Sequence, residues 1–132
     1  MKILIASFML LSNIGLEWFD SHFHTYDKIQ KQVFEYAEPG FMEYKSSELF
    51  IRHLKRNGFK IERGVAGMPT AFVASFGSGK PVMAVLAEYD ALPGLSQDTT
   101  PHNSPMVEGG YGHACGHNLI GTAALSAAVA VS

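Results

Sequence analysis

The segment Gly112-His113-Ala114-Cys115-Gly116-His117-Asn118 places a thiol and two imidazoles on alternating positions, just ahead of an apolar helical stretch. Cysteine thiolate and histidine imidazole are the ligand types that zinc and similar ions prefer. Gly116 separates Cys115 from His117, so an extended or turning backbone can aim both side chains to one side. Amides at the N-terminus of a following helix would favour a thiolate there. The same residues also suit a buried, inert cysteine beside loop histidines. A nucleophile–base pair of Cys115 with a histidine is a third possibility, although no third, orienting group is evident. Another group, Glu88-Tyr89-Asp90, closes a strongly apolar run. On an extended backbone Glu88 and Asp90 share one side, and ligands of open α/β sheets gather beyond the carboxyl ends of strands. Acids placed there can bind a metal, orient a ligating histidine or act as a base. The alternative is a solvated pair that ends the strand.

Other chemistry-bearing residues are poorer candidates. Gly77-Ser78-Gly79-Lys80-Pro81 resembles a phosphate loop, but Ala74 falls where its first glycine belongs and Pro81 replaces the Ser or Thr after lysine. His22-Phe23-His24 has chelating spacing inside a solvated segment. His53 reads as a core or rim histidine on a helix face, and His102 has no evident partner in its loop.

These residues need elements to hold them. Tyr26, Ile29, Val33 and Ala37 recur at helical spacing, predicting a helix from Tyr26 to Glu38 with Thr25 as N-cap and Pro39-Gly40 as the stop. A second helix is expected from Glu43 to Asn57, with Leu49, Phe50, His53 and Leu54 inward and Gly58 in a left-handed terminal position. Extended runs follow at 59–63, 70–76 and 81–89. The last two read as strands buried on both faces, joined by a hairpin at Gly77-Ser78-Gly79. Leu92 to Gly112 is a long Pro-, Gly- and Ser-containing loop of the kind that usually carries function. A final helix from Cys115 or His117 through Val129 is apolar nearly all round, which predicts burial between layers.

Composition narrows the class. With 132 residues, 47% hydrophobic and 17% charged, the chain is too apolar for disorder. A net charge of −2 excludes a polybasic nucleic-acid surface and gives no electrostatic attraction to anionic lipid. The single cysteine excludes an internal disulfide framework. Lys2 followed by the apolar run Ile3 to Leu11 reads as a signal or leader over residues 1–16, too short to span a membrane. Its cleavage would make the protein periplasmic or secreted; otherwise it is cytoplasmic.

Taken together, the motifs resemble the N-terminal part of a dinuclear metallohydrolase, in the family of metal-dependent aminoacylases and carboxypeptidases. The branch most resembled is that of the amidohydrolases, which includes the aminobenzoyl-glutamate utilization proteins. Glu38-Pro39-Gly40-Phe41-Met42-Glu43 is similar to the family's Pro-Glu-Leu-Gly-x-x-Glu opening. Gly64 to Ala71, Gly77 to Pro81 and Glu88 to Gln97 resemble the B-type aminobenzoyl-glutamate proteins, and His113 to Asn118 their metal motif. Glu88 stands where the dipeptidase branch has a metal-binding histidine, and Asn118 where much of the wider branch has aspartate.

The resemblance implies that Cys115 and His117 are metal ligands and that Asp90 is the acid supporting the site. It implies an α/β fold: residues 17–132 as part of a three-layer αβα catalytic domain, truncated before the lid domain. The family's glutamate pair and later histidines would lie beyond residue 132. The implied activity is hydrolysis of amide bonds in N-acyl amino acids or dipeptide-like substrates by metal-activated water. The full-length enzyme would hold two divalent ions, zinc or manganese, and form homo- or hetero-oligomers. Its partner is a small-molecule amide, with no nucleic acid and no membrane in the mature form. This chain alone is expected to be inactive. The alternative is a non-catalytic metal-binding or subunit-interaction module.

Overall fold

Tyr26, Ile29 and Val33 are buried along one face of a long helix and meet Phe50, Leu54 and Leu125 in a single apolar cluster. In the computed structural model, which describes residues 2–132 and their side chains from residue 15 onward, that helix is α1, Lys2–Tyr36. Thr25 therefore lies inside a continuous helix and does not cap one. No proline interrupts residues 17–25, and Trp18 and Tyr26 pack ring on ring across this stretch at 5.9 Å, so propagation is cheaper than a new start. The expected leader lies in the first part of this helix, largely outside the described side chains. At the other end Ala37 takes a left-handed φ of 41° and Pro39 follows, which stops the helix where expected.

The second helix, α2, runs over Tyr44–Arg56 and buries Phe50, Ile51 and Leu54. Gly58, with φ 85°, takes the left-handed position predicted for it. The first turn of α2 is held by the Glu38 carboxylate, which accepts from the amides of Lys45 (2.9 Å) and Ser46 (2.9 Å) and from the Ser46 hydroxyl (2.8 Å). An acid at this end satisfies free amides and complements the helix dipole.

Strands β1 (Lys60–Arg63) and β2 (Phe72–Ser75) form an antiparallel pair with Ile61 opposite Ala74 and Arg63 opposite Phe72. A short 3-10 turn at Val65–Gly67 lies in their connection. Ile61, Phe72 and Ala74 face the core, while Val73 is half exposed, so β2 is covered on one face only. The expected strand at 81–89 carries no ladder, and Gly77-Ser78-Gly79 is a bend leading into it, not a hairpin between strands. Val82, Met83, Val85 and Leu86 are exposed there. A strand buried on both faces needs neighbours on its edges and cover above and below. Among the described residues neither is supplied.

Helix α3 (His117–Ala130) packs against α1, joined by the Asn118 amide donating to Gln30 at 3.0 Å. It buries Asn118, Gly121, Thr122, Leu125 and Ser126 and exposes Leu119 and Ile120. Its cover is thus one-sided, not the burial between layers that its composition predicts. The described residues form a mixed α/β arrangement of three α-helices and one two-stranded sheet. None of the helices is long and apolar enough, over the described residues, to cross a membrane.

Candidate metal centre

Three backbone ties fix the segment Glu88 to Leu92 although it belongs to no strand ladder. The Ala91 amide donates to the Glu38 carbonyl at 2.8 Å. Leu92 and Gly112 exchange hydrogen bonds of 2.9 and 3.0 Å, closing the long loop at its base. This closure requires glycine at 112, where a Cβ would lie 1.8 Å from the Leu95 carbonyl oxygen. From the opposite side α3 rests on Glu88 through Gly121, where a Cβ would lie 2.4 Å from the Glu88 oxygen.

His117 opens α3 and turns its imidazole onto this segment. Its Nδ1 lies 2.8 Å from Asp90 Oδ1 and 3.1 Å from the Asp90 carbonyl oxygen. Its Nε2 lies 3.1 Å from Glu88 Oε2. The side chains are graded in exposure, His117 at 12%, Asp90 at 31% and Glu88 at 68%, so the group faces solvent from its Glu88 side. An ionised carboxylate offers only acceptors. With Nδ1–H donated to Asp90, a cation held between Nε2 and Glu88 would satisfy both acceptors. One ligand atom from each of Glu88, Asp90 and His117 lies within 4.8 Å of the others. Imidazole nitrogen with carboxylate oxygen suits zinc or manganese, so the donor set fits a divalent ion.

The structure thus brings Asp90 and His117 together. Cys115 is exposed and stands outside this three-residue group. Gly116, between the two, takes the left-handed conformation (φ 77°) and starts α3. His113 is buried and turned into α1, donating from Nε2 to the Val33 carbonyl at 3.0 Å. Burial holds its imidazole below the usual histidine range, partly offset by that carbonyl. Tyr89 lies between the two acids. Its ring packs on Phe50 (5.3 Å) and Phe72 (6.3 Å), and its hydroxyl donates to the Thr70 carbonyl at 2.6 Å. Burial, together with the charge of Glu43, pushes its phenol up to about 12.

A histidine braced by one carboxylate and facing a second is a candidate divalent-metal centre. Comparison with known proteins supplies the class. The chain is 48% identical over 107 residues to a p-aminobenzoyl-glutamate hydrolase subunit of Escherichia coli (strain K12), covering 80% of this chain and 22% of that protein. It is 37% identical over 93 residues to thermostable carboxypeptidase 1 of Saccharolobus solfataricus, covering 69% of this chain and 23% of that one. It is 29% identical over 103 residues to hippurate hydrolase of Campylobacter jejuni, covering 78% and 26%. No family model matches the chain. The chain belongs to the amidohydrolase family of these relatives and spans about a quarter of their length or less.

Proposed function

We propose that this chain forms one side of the active centre of a metal-dependent amidohydrolase. The reaction is hydrolysis of the amide bond in N-acyl amino acids or dipeptide-like substrates, with aminobenzoyl-glutamate as the first candidate. The observation that carries the reading is the 2.8 Å contact of Asp90 with His117 Nδ1, which turns Nε2 toward Glu88 on the solvent side, where the two could share an ion.

In this reading His117 and Cys115 are ligands and Asp90 holds the imidazole in the tautomer that ligation needs. Glu88, at the solvent edge of the group, adds negative charge that favours a cation. A divalent ion bound there supplies Lewis acidity toward an amide carbonyl and toward water. Cys115 serves as a thiolate ligand and not as the nucleophile. Residues 17–132 form the N-terminal part of a three-layer αβα domain, and the general base is assigned to none of Glu88, Asp90 and His117. Assembly with another polypeptide fits the Escherichia coli relative, whose name describes it as a subunit of its hydrolase.

The test is calorimetric titration of the chain with Mn²⁺ or Zn²⁺, alongside release of aminobenzoate from aminobenzoyl-glutamate. Saturable metal binding, lost in His117→Ala, is expected without turnover. Absence of metal binding overturns the reading. A non-catalytic metal-binding module is the rival, and turnover abolished by Cys115→Ser would exclude it.

A further inference from the structure

Alternation along an extended backbone puts Tyr89 on the side opposite Glu88 and Asp90. Rotating this segment about its axis would swing both carboxylates away from His117. The backbone ties begin only at Ala91, so at Glu88 to Asp90 a restraint on the Tyr89 side adds to them. Apolar packing against Phe50 and Phe72 favours burial of the ring but allows it to slide. The hydroxyl does not have that freedom, because it is bonded to the Thr70 carbonyl at 2.6 Å. Thr70 is itself held, since its side-chain hydroxyl donates to the buried carboxylate of Glu43 beside the start of α2.

We propose that Tyr89 is a positioning residue: its hydroxyl, anchored through Thr70 to Glu43, holds Glu88 and Asp90 against His117. As a role at a metal centre this rests on the proposed function above. Tyr89 touches no ligand; it acts through its two neighbours, one step beyond the direct outer partners whose loss typically costs about 10- to 100-fold in affinity.

The experiment compares wild type, Tyr89→Phe, Asp90→Ala and Phe72→Leu in two measurements. Nitrogen-edited NMR of the metal-free protein reads the His117 Nδ1–H, expected as an exchange-protected signal that Asp90→Ala removes. Titration with Co²⁺ reads affinity and the d–d spectrum. Tyr89→Phe is expected to weaken the Nδ1–H signal, loosen Co²⁺ binding by up to about ten-fold, the lower end of the range for a direct outer partner, and alter the spectrum at saturation. Phe72→Leu loosens the same packing but keeps the hydroxyl, so it should lower the unfolding midpoint and leave the Co²⁺ affinity unchanged. Wild-type NMR and Co²⁺ behaviour in Tyr89→Phe overturns the proposal, as does an equal loss of affinity in Phe72→Leu. Failure of the wild type to bind Co²⁺ overturns the metal reading first, and the proposal with it. If Tyr89→Phe does not fold, Thr70→Val cuts the same chain one step back: weakened Co²⁺ binding supports the proposal and unchanged binding overturns it.

Discussion

Gly121 of α3 lies against the Glu88 backbone so closely that a Cβ there would stand 2.4 Å from the Glu88 carbonyl oxygen. Phe50 is the next obstacle, its ring 3.2 Å from the same point. The helix carrying His117 therefore reaches the carboxylate segment at a spacing that only glycine allows. Gly121→Ala should cost about 1–3 kcal/mol through overpacking and should separate His117 from Glu88. Urea unfolding reads the first effect and Zn²⁺ titration the second. An unchanged urea midpoint would show that α3 can shift freely.

Phe50 is 1% exposed, part of the central apolar cluster and in edge contact with Tyr89. Replacing it by alanine removes a core aromatic that the surrounding helices cannot close over. The expected loss is about 3–5 kcal/mol, read by chemical denaturation, with the near-ultraviolet signal of Tyr89 altered in parallel.

His53 gives the chain a pH dependence whose sign can be worked out. Burial, and then the positive charge of Arg56, holds its imidazole below the ordinary histidine value. Between the folded and unfolded pKa values the unfolded chain binds more protons, so stability rises with pH. It is fully present above the unfolded value of about 6.5 and declines as pH falls below it. His113, lowered chiefly by burial, adds the same sign. The unfolding midpoint should drop between about pH 7.5 and pH 5, and His53→Gln should flatten part of that slope. An identical slope in the variant removes His53 as a source.

Glu38 ties two parts of the chain together, its carboxylate on the first turn of α2 and its carbonyl on the Ala91 amide. Glu38→Ala removes the first tie and keeps the second. A loss of about 1–2 kcal/mol is expected, as for other helix-start acceptors, and thermal unfolding followed by circular dichroism measures it.

Cys115→Ser separates ligand from bystander. In the proposed centre, Co²⁺ bound to wild type should give a thiolate charge-transfer band near the ultraviolet edge, absent from Cys115→Ser. Equal spectra from both would leave His117 with oxygen donors alone.

The parts of this fold visible in the sequence are those set by local spacing. The α2 face through Phe50 and Leu54, the left-handed Gly58 and the start of α3 at His117 follow from periodicity and glycine chemistry. The meeting of Asp90 with His117 is legible only through the motifs, since their separation in sequence says nothing about distance. The Tyr89–Thr70 and Glu38–α2 contacts depend on how elements cross in space, and no short pattern encodes them. Thr25 misleads because a good cap residue is also tolerated inside a helix when tertiary contacts extend it. The run at 81–89 misleads for the converse reason: its side chains describe a buried strand, and burial is decided by neighbours.

That run has a practical side. Val82, Met83, Val85 and Leu86 stand in solvent on unladdered backbone, a stretch suited to cross-β stacking between identical molecules. The polypeptide handled alone should turn turbid as it is concentrated. A single lysine in place of Leu86, the most exposed of the four at 90%, should act as a gatekeeper and keep such preparations clear.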